Sequence, residues 1–171
     1  MLSRSSLGLK LRRIDCAAFI ALTALGTLST RAQSQTGPQS NSATFSSAQL
    51  VQPSDLVREM ATGSTGARPT VVYVGFRTLF AGGHIPGATF HGTASTAQGL
   101  ADIKQWAASL PRTTNLVIYC GCCPLQRCPN IHPAFALFRE MGFTHVRVLE
   151  LPNNFATDWA DKNYPVEKGS S

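Results

Sequence analysis

Four cysteines crowd into nine residues of this chain: Cys120, Cys122, Cys123 and Cys128, in the run C-G-C-C-P-L-Q-R-C-P-N. Cysteines that staple distant segments are scattered along a sequence, whereas these can bridge only within their own loop. A thiol attacks electrophiles and binds metals as its thiolate, so its surroundings decide what it does. Cys120 follows directly on the apolar run N-L-V-I-Y at 115–119 and stands upstream of a helical pattern. Its sulfur is expected to face loop N–H groups and the positive end of that helix, both of which favour the thiolate. Arg127 adds a fixed positive charge suited to an anionic substrate. A second chemistry fits the same residues. Cys120, Cys122, Cys123 and Cys128, with His132, offer ligands to a soft metal such as Cu(I) or Zn, although the spacing matches no standard structural zinc pattern.

The elements that must hold this loop alternate between strand and helix patterns. Short apolar runs at 49–51, 70–74 (TVVYV), 88–90, 115–119 (NLVIY) and 146–149 read as strands, the second and fourth apolar enough to be buried on both faces. Helical spacing predicts helices over 53–60, with Pro53 at the first position and Asp55 in the first turn, over 96–110, and over 131–141 ending at Gly142. A last helical turn or two falls at 155–162. Alternating strands and helices imply a parallel sheet covered on both faces, with reactive groups in the loops beyond the carboxyl ends of the strands. Trp106 and Trp159 read as packing residues, and His84 as a hydrogen-bonder within a turn.

Three segments together resemble the rhodanese (thiosulfate sulfurtransferase) domain family. They are Gly83-His84-Ile85-Pro86-Gly87-Ala88, Val117-Ile118-Tyr119-Cys120, and the closing set Gly142-Phe143, Val146, Leu149, Trp159 and Tyr164-Pro165-Val166-Glu167. The resemblance implies an α/β fold: a single rhodanese-like domain over 48–168, with a five-stranded parallel sheet, helices on both faces and an active loop wrapped around Cys120. Two departures stand out. The family's Asp-x-Arg pair is replaced at its matching positions by Tyr73, Val74 and Gly75. Six residues separate Cys120 from Arg127, which breaks the Cys-x5-Arg cradle of related phosphatases.

The resemblance implies a sulfurtransferase or a persulfide and thiol-redox protein. Cys120 would be the covalent nucleophile toward a sulfane-sulfur donor. Gly121, Cys122, Cys123, Pro124, Leu125, Gln126 and Arg127 would form the active loop, with the amides of Gly121 to Gln126 stabilising thiolate and persulfide. Cys122, Cys123 or Cys128 would resolve the persulfide as a disulfide; Cys120 or Cys123 with Cys128 strains the backbone less than vicinal Cys122–Cys123. The expected partners are a small sulfur-containing substrate or thiol acceptor and a redox partner protein, with no cofactor. The metal-binding module and a non-catalytic rhodanese-fold interaction domain stay open beside it.

Charge separates the chain into two parts. Arg4, Lys10, Arg12, Arg13 and Arg31 are five of its fifteen basic residues, and Asp15 is the one acid before position 33. From Gln33 onward ten basic residues face eight acidic ones, an ordinary surface that argues against nucleic acid. The basic start, the apolar stretch at 16–28 and Thr30-Arg31-Ala32 read as a signal peptide over 1–32. Arg12-Arg13 leaves twin-arginine export open beside the general route. The apolar stretch is shorter than the ~20 residues a membrane span needs. The expectation is an exported protein, periplasmic or extracellular, with no stable membrane anchor after cleavage, a disordered linker at 33–47 and a short tail at 169–171.

Overall fold

The computed structural model describes residues 45–63 and 68–169. The expected signal peptide, most of the expected linker and the last two residues lie outside these. Five strands form the sheet: β1 (Leu50–Val51), β2 (Thr70–Tyr73), β3 (Thr89–Phe90), β4 (Leu116–Tyr119) and β5 (Val146–Leu149). The helices are α1 (Pro53–Thr62), α2 (Arg77–Gly82), α3 (Ala97–Ala107), α4 (Ile131–Glu140) and α5 (Phe155–Asp158). The strand order is β1-β5-β4-β2-β3 and every pairing is parallel. This is the expected single sheet of five parallel strands.

Strand β4 takes the central place because all four of its residues are apolar and buried, so it needs cover on both faces. Its side chains alternate across the sheet. Leu116 and Ile118 point with Cys120 into a core built with Ile103 and Ala107 of α3 and Ile131, Ala134 and Phe138 of α4. Val117 and Tyr119 point into a second core with Leu56 of α1, Phe80 of α2 and Trp159. The central strand therefore delivers Cys120 under α3 and α4, at the carboxyl end of the sheet.

Two expectations shift. The linker was expected to run to 47, but Phe45 already stacks on His132, with ring centroids 4.9 Å apart, and meets Phe135 edge-on at 5.1 Å. Helix α3 starts on the expected Thr96, whose side chain accepts the Gly99 N–H, but it stops at Ala107 rather than 110.

Candidate active site

The chain leaves β4 through Tyr119, whose carbonyl still accepts the Val74 N–H at 2.9 Å, and the next residue is Cys120, 2% exposed. Gly121 then turns the backbone at φ +73, and a Cβ there would lie 2.6 Å from Cβ of Phe155. Only glycine suits both demands. The Phe155 N–H binds the Gly121 carbonyl at 3.0 Å, pinning the turn to α5. Beyond half-buried Cys122 and Cys123 the loop makes one 3-10 turn, Leu125–Arg127, and reaches buried Cys128 just before α4.

The four sulfurs gather as thiols. Cys120 Sγ and Cys122 Sγ are 3.2 Å apart, and Cys122 Sγ and Cys123 Sγ 3.1 Å. The sulfurs of Cys120, Cys122 and Cys128 all lie within 4.8 Å of one another. A cavity of about 10 Å³ beside Cys120, Cys123 and Cys128, closed by Leu125, Leu149 and Leu151, holds roughly one water-sized particle.

The electrostatics of this cluster differ from the expectation. Cys128 is brought down to about 5, first by the thiol hydrogen bond from Cys120, against burial, and then by the N–H groups of Asn130 and Ile131 at the start of α4. Cys120 is pushed far up by that same hydrogen bond, then by burial and by the charge on Cys128. Cys123 is pushed up to about 12, by burial first and then by neighbouring thiols. The helix end reaches Cys128 because that residue stands two places before Asn130, whereas Cys120 is a full loop away. The two thiols therefore shift in opposite directions, Cys128 down and Cys120 up.

The expected amide cradle is also smaller than the sequence suggested. Cys122 N–H supports Cys120. Pro124 has no N–H to give, and Leu125 and Arg127 spend theirs on the carbonyls of Leu151 and Pro124. Gln126 and Arg127 are exposed, and among the described residues no ion pair engages Arg127. His132 lies against Phe45 and is not part of the sulfur group.

Three residues join the site that the sequence did not mark as part of it. Asn130 is fully buried; its amide nitrogen donates to Cys120 Sγ at 3.4 Å, and its side-chain oxygen accepts the Ser95 N–H at 2.9 Å. Its place just before a helix was the available signal. Tyr73 pairs in register with Tyr119, and its buried hydroxyl has no hydrogen-bond partner. Burial, followed by the Cys120, Tyr119 and Cys122 side chains beside it, pushes that hydroxyl's pKa up. Gly75 leaves room for both groups: a Cβ there would stand 2.5 Å from the Tyr73 hydroxyl and 2.7 Å from Cys120 Sγ.

The expected turn at 83–88 is firmly held. His84 is buried, its Nδ1 lies 2.8 Å from the Phe80 carbonyl, and its ring stacks on Phe80. Its main chain exchanges two hydrogen bonds with Glu167. Tyr119 accepts the Ile85 N–H on its hydroxyl at 3.0 Å.

No family model matches the sequence, and no curated protein matches it. Solved structures do. The Alr3790 protein of Anabaena sp. superposes with a TM-score of 0.53 at 24% identity, covering 69% of this chain and 82% of that one. The rhodanese-like domain of the same protein, in a solution structure, gives 0.51 at 25% identity over 70% and 79%. A thiosulfate sulfurtransferase of Pseudomonas aeruginosa gives 0.52 at 23% identity, over 71% of this chain and 20% of that one. The chain therefore has the rhodanese-like fold, and a four-cysteine loop follows its central strand.

Proposed function

We propose that this protein takes up sulfane sulfur on Cys120 and releases it through Cys122. The observation that carries the reading is the contact of these two sulfurs, 3.2 Å apart, at the carboxyl end of the central strand. The likeness of fold to a thiosulfate sulfurtransferase supports the donor class. In the uptake step the Cys120 proton passes to Cys128. The Cys120 electron pair then forms a bond to the outer sulfur of thiosulfate, whose own S–S bond breaks and sends its electron pair away with sulfite. In the release step Cys122 attacks the inner sulfur. A Cys120–Cys122 disulfide forms, the sulfane sulfur leaves as hydrosulfide carrying the Cys122 proton, and a dithiol reductant restores the pair.

Cys120 is almost fully buried, so the donor reaches it only when a neighbouring side chain turns aside. Incubating the protein with thiosulfate and weighing it intact tests the reading. Wild type should gain one sulfur atom transiently and end two hydrogens lighter as the Cys120–Cys122 disulfide, Cys120→Ser should gain none, and Cys122→Ser should keep its sulfur instead of discharging sulfide. Uptake by Cys120→Ser at the wild-type rate would remove Cys120 from the chemistry. We also infer export from the segment before position 33, which cell fractionation and N-terminal sequencing of the mature chain would check.

A second reading rests on the three sulfurs within 4.8 Å. Three thiolates without a fourth protein ligand suit trigonal Cu(I) better than Zn, which closes its structural sites with four. Cys120, Cys122 and Cys128 would hold the ion. Stoichiometric copper lost in Cys128→Ala, together with no sulfur uptake by wild type, would favour it over sulfur transfer.

A further inference from the structure

We infer that the Tyr73 hydroxyl is a hydrogen-bond donor to the outer sulfur of a Cys120 persulfide. The inference rests on the sulfur-uptake reading and names a residue that reading does not use. Two tyrosines stand side by side on adjacent strands, Tyr73↔Tyr119, with ring centroids 5.1 Å apart. The Tyr119 hydroxyl is engaged by the Ile85 N–H. Tyr73 is just as deeply buried, and beyond the Phe76 N–H beside it no group takes its hydroxyl proton. Its ring neighbours are Phe80, Phe90 and Tyr119, and neither phenylalanine can accept its proton conventionally. A buried hydroxyl left unpaired is costly, so the position calls for an acceptor present in another state of the protein.

Gly75 shows where that acceptor would be. The missing Cβ would stand 2.5 Å from the hydroxyl and 2.7 Å from Cys120 Sγ, so both atoms converge on the same side of Gly75. They are closer together than the sum of those distances, yet no hydrogen bond joins them. A second sulfur on Cys120, about 2 Å further out, would be the acceptor on that side. The Gly75 carbonyl is tied to the Thr93 hydroxyl at 3.0 Å, which keeps this glycine in place.

The chemistry gives the donor a task. When the Cys120 electron pair forms the new S–S bond and sulfite departs with the pair from the broken bond, the outer sulfur becomes the terminal atom of a persulfide anion. The tyrosine O–H donates to that anion and no net proton moves. The donor acts on charge that is absent from the unloaded enzyme, so it accelerates loading without tightening donor binding.

Tyr73→Phe in the full chain is the test, because it removes only an oxygen whose proton is donated to nothing in the unloaded protein. The expected result is about a tenfold slower maximal loading rate by thiosulfate, the scale of one hydrogen bond to an anion. KM should be unchanged, and the loaded persulfide should decay sooner. Two controls exclude a structural cause: the thermal midpoint should not fall, and alkylation of unloaded Cys120 by iodoacetamide should keep its rate. Unchanged loading and persulfide lifetime in Tyr73→Phe, with normal loading of wild type, would overturn the Tyr73 assignment alone. A parallel loss of alkylation and thermal midpoint would also overturn it, as a packing effect. Absence of any sulfur gain in Cys122→Ser would overturn this inference together with the reading it rests on.

Discussion

The turn at 83–88 and the cysteine loop at 120–130 are both irregular segments beside β4, but they are braced by different bonds. The turn is held by the main-chain exchange of His84 with Glu167, by His84 Nδ1 on the Phe80 carbonyl and by Ile85 on Tyr119. The loop has main-chain ties to Leu151 and Phe155, but its interior is filled by sulfur against sulfur and by Asn130 against Cys120. Carbonyl and amide contacts are indifferent to redox state. Sulfur contacts become covalent when two electrons leave. The first segment is therefore permanent frame, and the second is structure that its own chemistry rewrites.

Three measurements break or sharpen this contrast. His84→Ala removes a fully buried ring with its stacking and its hydrogen bond and should cost about 3 kcal/mol by urea unfolding. That cost should be the same in dithiothreitol and after mild oxidation; a redox-dependent cost would break the contrast. Gly121→Ala forces a methyl group into a positive φ and against Phe155 and should cost about 2 kcal/mol in the reduced protein. Its cost should change once a Cys120–Cys122 bridge redraws the turn beside it, which a second urea series on oxidised protein would show.

The smallest effect belongs to an ion pair away from both segments. Arg147 binds Glu59 through two contacts, 2.8 and 2.6 Å, and this hydrogen bond, working against burial, lowers the carboxyl pKa. A carboxyl depressed on folding contributes its stability above the unfolded value, about 4.3, and loses it as pH falls through the folded value. Wild type should therefore lose more stability than Glu59→Gln as pH drops below about 4. The difference should stay under ~1 kcal/mol because both groups are partly exposed.

The frame was legible in the sequence because its signals are local. TVVYV and NLVIY are apolar throughout and became adjacent strands paired in register, and the closing Y-P-V-E segment became the partner of His84. Helix α2 went unread because its six residues are too few to show a period, and it ends on glycines. At the site, residue types were legible and their division of labour was not. Four cysteines announce sulfur chemistry, but which of them faces the helix end depends on how the loop doubles back. That return path gave Cys128 the N–H groups expected for Cys120. Tyr73 registered only as a missing aspartate, since an unsatisfied hydroxyl can be recognised only when its surroundings are known.

The pairing of His84 with Glu167 has a consequence for how the polypeptide is made. Two other closures come nearly as late: β5 must exist before β1 and β4 can join through it, and Trp159 must be present to seal the second core. Every one of these contacts needs residues from β5 onward, so none can form on a ribosome-bound fragment that stops before Val146. The nascent polypeptide consequently cannot close its sheet order or its second core until β5, Trp159 and Glu167 have all been made.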